Sequence, residues 1–263
     1  MSNHEIDYQL YGEEMQFVEI ELDPQETVVA ESGSFMMMDA DVQMQTIFGD
    51  GSQQQGGGLM GKLFSAGKRI LTGESLFMTA FTNVGGGKKR VSFAAPYSGK
   101  IIPLDLFALE GKVVCQKDAF LCAAKGVSIG IELQRKLGTG LFGGEGFIMQ
   151  KLEGDGMAFV HAGGMVIEKR LDVGETLKVD TGCVVAYTGR IDFDIEFVGG
   201  IKNTIFGGEG LFFAVLRGPG KVWLQSLPIS RLANRILRYG GPRRKEEGSV
   251  LGGLGNLLDG DGF

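Results

Sequence analysis

The strongest constraint on this chain is a short turn that it repeats three times: Leu71-Thr72-Gly73-Glu74-Ser75-Leu76-Phe77, Phe142-Gly143-Gly144-Glu145-Gly146-Phe147-Ile148 and Phe206-Gly207-Gly208-Glu209-Gly210-Leu211-Phe212. Each copy is an apolar pair, a glycine turn, one glutamate and an apolar run of strand character. A second landmark precedes each glutamate. The segments Glu26–Met36, Gly111–Leu121 and Glu175–Val185 align without gaps, and 34 positions separate both Gly111 from Glu145 and Glu175 from Glu209. In the first copy Glu26 to Glu74 spans 48 positions, and the surplus falls in the Gly- and Gln-rich stretch 49–58, which has loop composition. Paired turn residues follow each glutamate: Asn83 and Gly85, Gly154 and Gly156, Gly218 and Gly220. Two landmarks kept in register three times indicate duplicated β-modules, at about residues 1–99, 100–163 and 164–227.

The 44 glycines among 263 residues are more than twice the usual ~7%. They recur at turn positions, where glycine takes positive φ without steric cost, so the chain is expected to hold many short strands. Residues 5–22 alternate as two strands joined at Gly12-Glu13-Glu14. The third copy lacks a strand after Ser226, and the extra strand at 5–11 is expected to fill that place and close the modules into a ring without open edges. Met36-Met37-Met38 with Met44 reads as adaptable core filler, the alternative being a ligand-facing patch.

Two amphipathic segments stand apart from the strands. Leu59–Leu71 carries Lys62, Lys68 and Arg69 between apolar residues, as either a lid on the sheet or a basic face for a membrane surface or partner. After Pro228, Ser230 reads as an N-cap and Gly240 as the stop of a helix with Arg231, Arg235 and Arg238 on one face and Leu232, Ile236 and Tyr239 on another. Residues 228–263 therefore form a C-terminal helix and a Gly/Leu-rich tail beyond the 1–227 domain.

The chemistry that the chain lacks narrows its function. His4 and His161 are the only histidines, so a histidine-rich or Cys/His metal centre is not expected. His161 reads as a strand-end residue, with a catalytic base as the alternative. Ser34 is matched in the other copies by Ala119 and Cys183 and has no oriented base. No phosphate-binding glycine motif is present, and no cofactor is expected. Glu74, Glu145 and Glu209 are assigned to fixing the turns, with a carboxylate triad as the alternative. A formal charge of −6 and pI near 5.1 oppose nucleic-acid binding through a broad basic field. Cys115, Cys122 and Cys183 form no disulfide framework and suit a reducing cytoplasm. No secretory signal or membrane-spanning helix is expected.

The Phe-Gly-Gly-Glu-Gly turns, the opening Glu31-Ser32-Gly33-Ser34-Phe35-Met36 and the basic segment before Gly73-Glu74-Ser75 resemble a bacterial family related to the mitochondrial "altered inheritance of mitochondria" proteins. The resemblance covers residues 5–227. It implies an all-β single-chain pseudo-trimer, like three fused subunits of the tryptophan RNA-binding attenuation protein, of the short double-stranded β-helix type. It brings no catalytic residue, and neither RNA nor tryptophan binding carries over to this acidic chain. The expected function is a non-enzymatic binding or scaffold protein linked to membrane or protein-complex organisation. The expected partners are a second copy, another protein or a peripheral membrane surface. A small-molecule or lipid sensor with clefts between modules and a carboxylate-based enzyme are the alternatives.

Overall fold

The computed structural model describes residues 5–31, 33–48, 77–135, 147–197 and 212–240. The chain divides into two units, Met1–Ser230 and Arg231–Phe263. All the described strands lie in the first unit. After a leading strand β1 (Asp7–Tyr11), six strands follow: β2 (Phe17–Leu22), β3 (Thr27–Glu31), β4 (Phe35–Met38), β5 (Val42–Phe48), β6 (Phe77–Asn83) and β7 (Lys89–Ala94). The next six are β8 (Gly99–Asp105), β9 (Lys112–Gln116), β10 (Phe120–Ala124), β11 (Ser128–Arg135), β12 (Phe147–Glu153) and β13 (Met157–Gly163). The last six are β14 (Val166–Leu171), β15 (Thr176–Asp180), β16 (Val184–Thr188), β17 (Asp192–Phe197), β18 (Phe212–Arg217) and β19 (Gly220–Gln225). One helix, α1 (Ile229–Gly240), ends the described chain.

One pairing scheme recurs in all three sets. The second and fourth strands flank the fifth, giving β3-β6-β5, β9-β12-β11 and β15-β18-β17. The first and third flank the sixth, giving β2-β7-β4, β8-β13-β10 and β14-β19-β16. A register shift falls at aligned positions, between Phe35 and Met37, Phe120 and Cys122, and Val184 and Ala186. The following turns share one bond, with Val42 N–H donating to Asp39 O, Val127 N–H to Ala124 O and Ile191 N–H to Thr188 O at 3.0–3.2 Å. Each turn before the second strand holds its third residue in the left-handed region, at Gln25 (φ 72°), Glu110 (φ 64°) and Gly174 (φ 82°).

Half-sheets from neighbouring sets then join edge to edge. Strand β3 pairs with β10 and β9 with β16, giving two six-stranded sheets, β5-β6-β3-β10-β13-β8 and β11-β12-β9-β16-β19-β14. Burial follows from these positions. Strand β2 alternates, with Val18, Ile20 and Leu22 inward and Glu19 and Glu21 outward, whereas β10 and β16 are buried along their whole length. Phe81 and Phe93 meet edge to face at 5.2 Å in one core, and Phe147 and Tyr187 stack on Phe193 in a second.

Three expectations are corrected. Strand β1 pairs with β2 as a hairpin instead of completing the last set, because Asp7–Tyr11 is tied to Phe17–Leu22 by a short turn. Among the described residues the remaining half-sheets, β1-β2-β7-β4 and β15-β18-β17, stay separate, so one ends at β1 and β4 and the other at β15 and β17. The methionine cluster is surface: Met36, Met37, Met38 and Met44 are 49%, 45%, 39% and 55% exposed. Finally, α1 starts at Ile229 directly after Pro228, so Ser230 and Gly240 lie within the helix and not at its flanks.

Candidate functional site

Most of the sequence-predicted site residues fall outside the described residues: Gly73, Glu74, Gly144, Glu145, Gly208 and Glu209 of the repeated turns, and Lys62, Lys68 and Arg69 of the first basic segment. Their segments connect the hairpin strands β5 to β6, β11 to β12 and β17 to β18. Of the second basic segment, Arg231 and Arg235 are exposed on α1. Ile236 and Leu237 beside them are 60% and 67% exposed. Arg238 belongs to the same helix, with its side chain outside the described set.

Polar groups stand at aligned positions at the ends of β3, β9 and β15: Glu31, Gln116 and Asp180. Glu31 is raised from 4.5 to about 7 by burial and by the negative field of Asp118, against a smaller opposing effect of Lys117. The aligned positions solve the same placement differently: Gln116 Nε2 donates to Thr181 O at 3.0 Å, and Asp180 Oδ1 accepts from Gly182 N–H at 2.9 Å. His161 lies within β13, 2% exposed, with neither ring nitrogen hydrogen-bonded and its ring edge-on to Tyr97 at 4.5 Å. Burial lowers its pKa to about 4. At the aligned position Gln225 satisfies both amide ends, accepting from Gly163 N–H and donating to Gly182 O at 2.8 Å. Cys115 and Cys122 are buried thiols held well above the usual range by desolvation. Among the described residues, this imidazole, these thiols and this carboxyl form no oriented nucleophile–base pair. Among the described residues no three His, Cys, Asp or Glu side chains converge as metal ligands, and no helix is long and apolar enough to cross a membrane.

The conspicuous surface is the open edge at β4. Phe35, Met36, Met37 and Met38 are all 39–49% exposed. Phe35 stacks on the buried Phe81 at 5.4 Å. Four consecutive large apolar residues exposed on a strand edge form the kind of contiguous patch that marks an interaction site, unlike scattered surface apolar residues. Sequence reasoning noticed the methionines and placed them in the core. The run of three identical apolar residues is not the period-2 pattern of a strand with one buried face, and that signal separates the two readings.

The profile of the mitochondrial biogenesis AIM24 family matches residues 8–227. An uncharacterized protein of Streptococcus pyogenes serotype M6 is 33% identical over 231 residues, spanning 86% of this chain and 88% of its own. The crystal structure of a Streptococcus pyogenes protein superposes with a TM-score of 0.69 at 26% identity, covering 89% of this chain and 99% of that one. With a match over most of its length and an all-β architecture shared with a solved relative, the chain belongs to the mitochondrial biogenesis AIM24 family.

Proposed function

We propose that this protein is a non-enzymatic binding or scaffold module that engages its partner through the β4 edge. The observation that carries the reading is the exposure of Phe35, Met36, Met37 and Met38 together on an edge strand. An edge strand offers unpaired backbone groups to an added strand, and methionine side chains adapt to the surface that covers them. The repeated pairing scheme supports a pseudo-trimeric, attenuation-protein-like arrangement of modules. The acidic charge of −6 fits protein partners in the cytoplasm better than nucleic acid.

The experiment is capture of interacting chains, including a differently tagged copy of the protein, by wild type and by a Phe35→Ser/Met37→Lys variant matched for melting temperature. Loss of the captured chains in the variant supports the reading. Undiminished capture of every chain, or turnover of a substrate, contradicts it.

A second reading rests on α1, where exposed Arg231 and Arg235 stand with exposed Ile236 and Leu237. That combination suits peripheral attachment to an anionic membrane. Flotation with phosphatidylserine vesicles should then be lost on deleting residues 228–263. Equal flotation of the truncated chain removes this reading.

A further inference from the structure

We infer that the partner of the β4 edge is the β15 edge of a second copy of this chain, joined in the register that the protein already uses twice. This rests on the β4 edge being an interface and adds the identity and geometry of what covers it. The first internal seam pairs Ala30 with Cys122, Val29 with Ala123 and Val28 with Ala124, and Lys125 N–H donates to Thr27 O at 3.0 Å. The second pairs Cys115 with Ala186, Val114 with Tyr187 and Val113 with Thr188, and Gly189 N–H donates to Lys112 O at 3.0 Å. Carried through the repeat, the third seam opposes Val179 to Met37, Lys178 to Met38 and Leu177 to Asp39, with Ala40 N–H donating to Thr176 O. Among the described residues no pairing joins β4 to β15.

The backbone is prepared on both sides. Gly218 N–H donates to Glu175 O, so Glu175, Leu177 and Val179 face β18, while Thr176 and Lys178 direct their amide groups to the open edge. Asp39 N–H donates to Arg90 O, so Met38 and Ala40 direct theirs outward from β4. The two free half-sheets are of the same kinds as the two that fuse inside the chain. Their union gives β17-β18-β15 continued by β4-β7-β2-β1 of the neighbour, matching the internal six-stranded sheets with β1 added. Side chains fit as well. Half-buried Val179 meets Met37 on one face, Met38 lies opposite Lys178 on the other, and the charge of Lys178 is met on its own sheet by Glu196, so no unpaired cation is enclosed. Because β4 and β15 are different surfaces, the contact is head-to-tail and propagates into a closed ring or a filament.

The test uses full-length chains carrying Cys183→Ser, which leaves only the buried thiols Cys115 and Cys122. Met37→Cys and Val179→Cys occupy a non-hydrogen-bonded pair, where facing side chains approach most closely. Mild oxidation of a mixture of the two single variants should give an inter-chain disulfide, at least tenfold more than either variant alone or than Met37→Cys mixed with Thr176→Cys. Equal crosslinking of Met37→Cys alone would overturn the inference by showing a like-with-like contact. A monomeric disulfide in the dilute Met37→Cys/Val179→Cys chain would overturn it by showing that the protein closes its own seam. Absence of any disulfide in folded protein would overturn it too. If the disulfide is absent while capture of another chain still depends on Phe35 and Met37, the binding reading survives and this inference alone fails.

Discussion

The two internal seams and the open third one are built from the same repeated strands but differ in what faces solvent. Val28, Val29 and Ala30 on β3, and Val113, Val114 and Cys115 on β9, are at most 3% exposed. Their counterparts on β15 are half-buried Leu177 and Val179 with exposed Lys178 between them. Opposite, Cys122, Ala123 and Ala124 are sealed, while Met37 and Met38 lie open. Within the chain, both internal seams are sealed, the second with Ala186, Tyr187 and Thr188 buried opposite β9. The third position combines long, adaptable methionines with a charged, solvent-tolerant lysine, a composition suited to an edge that spends time both covered and in water.

The largest expected effect comes from attacking an internal seam. Val114→Asp places a carboxylate at a 2% exposed position between β9 and β16, which costs several kcal/mol against a typical total of about 5–15 kcal/mol. Loss of the cooperative thermal transition is expected. A wild-type melting curve would mean that the seam contributes little.

An equivalent attack on the open seam should leave the fold alone. Lys178→Pro removes one outward-facing amide and no bond to β18, so it should abolish association while leaving the dilute melting temperature within a few degrees. Unfolding of this variant would erase the distinction between seams.

Smaller effects lie in the polar groups beside the first seam. Glu31 is raised to about 7 in the fold against an ordinary 4.5, so the unfolded chain releases its proton first and stability falls as pH rises between those values. Glu31→Gln, which installs the amide already present at Gln116, should therefore stabilise at pH 8 by about 1–2 kcal/mol after allowance for partial exposure, and little at pH 4. His161, held near 4, works in the opposite direction. The unfolded chain takes up the proton first, and stability is lost as pH falls from 6.5 toward 4. His161→Gln should flatten that acid limb in melting experiments. The smallest change is Gln25→Gly, which relieves a left-handed residue (φ 72°) and should raise stability by about 1 kcal/mol or less, read in urea titrations.

The all-β class was legible because glycine turns punctuate short apolar runs along the chain, and Phe17–Leu22 announced its strand through strict alternation. The ring closure was not legible. Alternation tells which face of a strand is buried but carries no information on which backbone edge has a neighbour, so Asp7–Tyr11 was assigned to the wrong gap when local chain connectivity draws it to β2. The methionines were misplaced for the same reason, since hydrophobicity alone cannot say whether an apolar run is covered by its own chain or by another. Glu31 was read only as one residue of the repeat. Its elevated pKa arises first from burial and then from the charge of Asp118, both set up only when distant strands pair, so no local pattern could have revealed it.

Native mass spectrometry of the wild-type chain beside Lys178→Pro gives the most direct reading of the third seam. Completion of that seam between copies predicts a wild-type assembly of a whole number of chains and a folded Lys178→Pro monomer. A wild-type monomer at micromolar concentration, or an assembly that Lys178→Pro leaves intact, would contradict it.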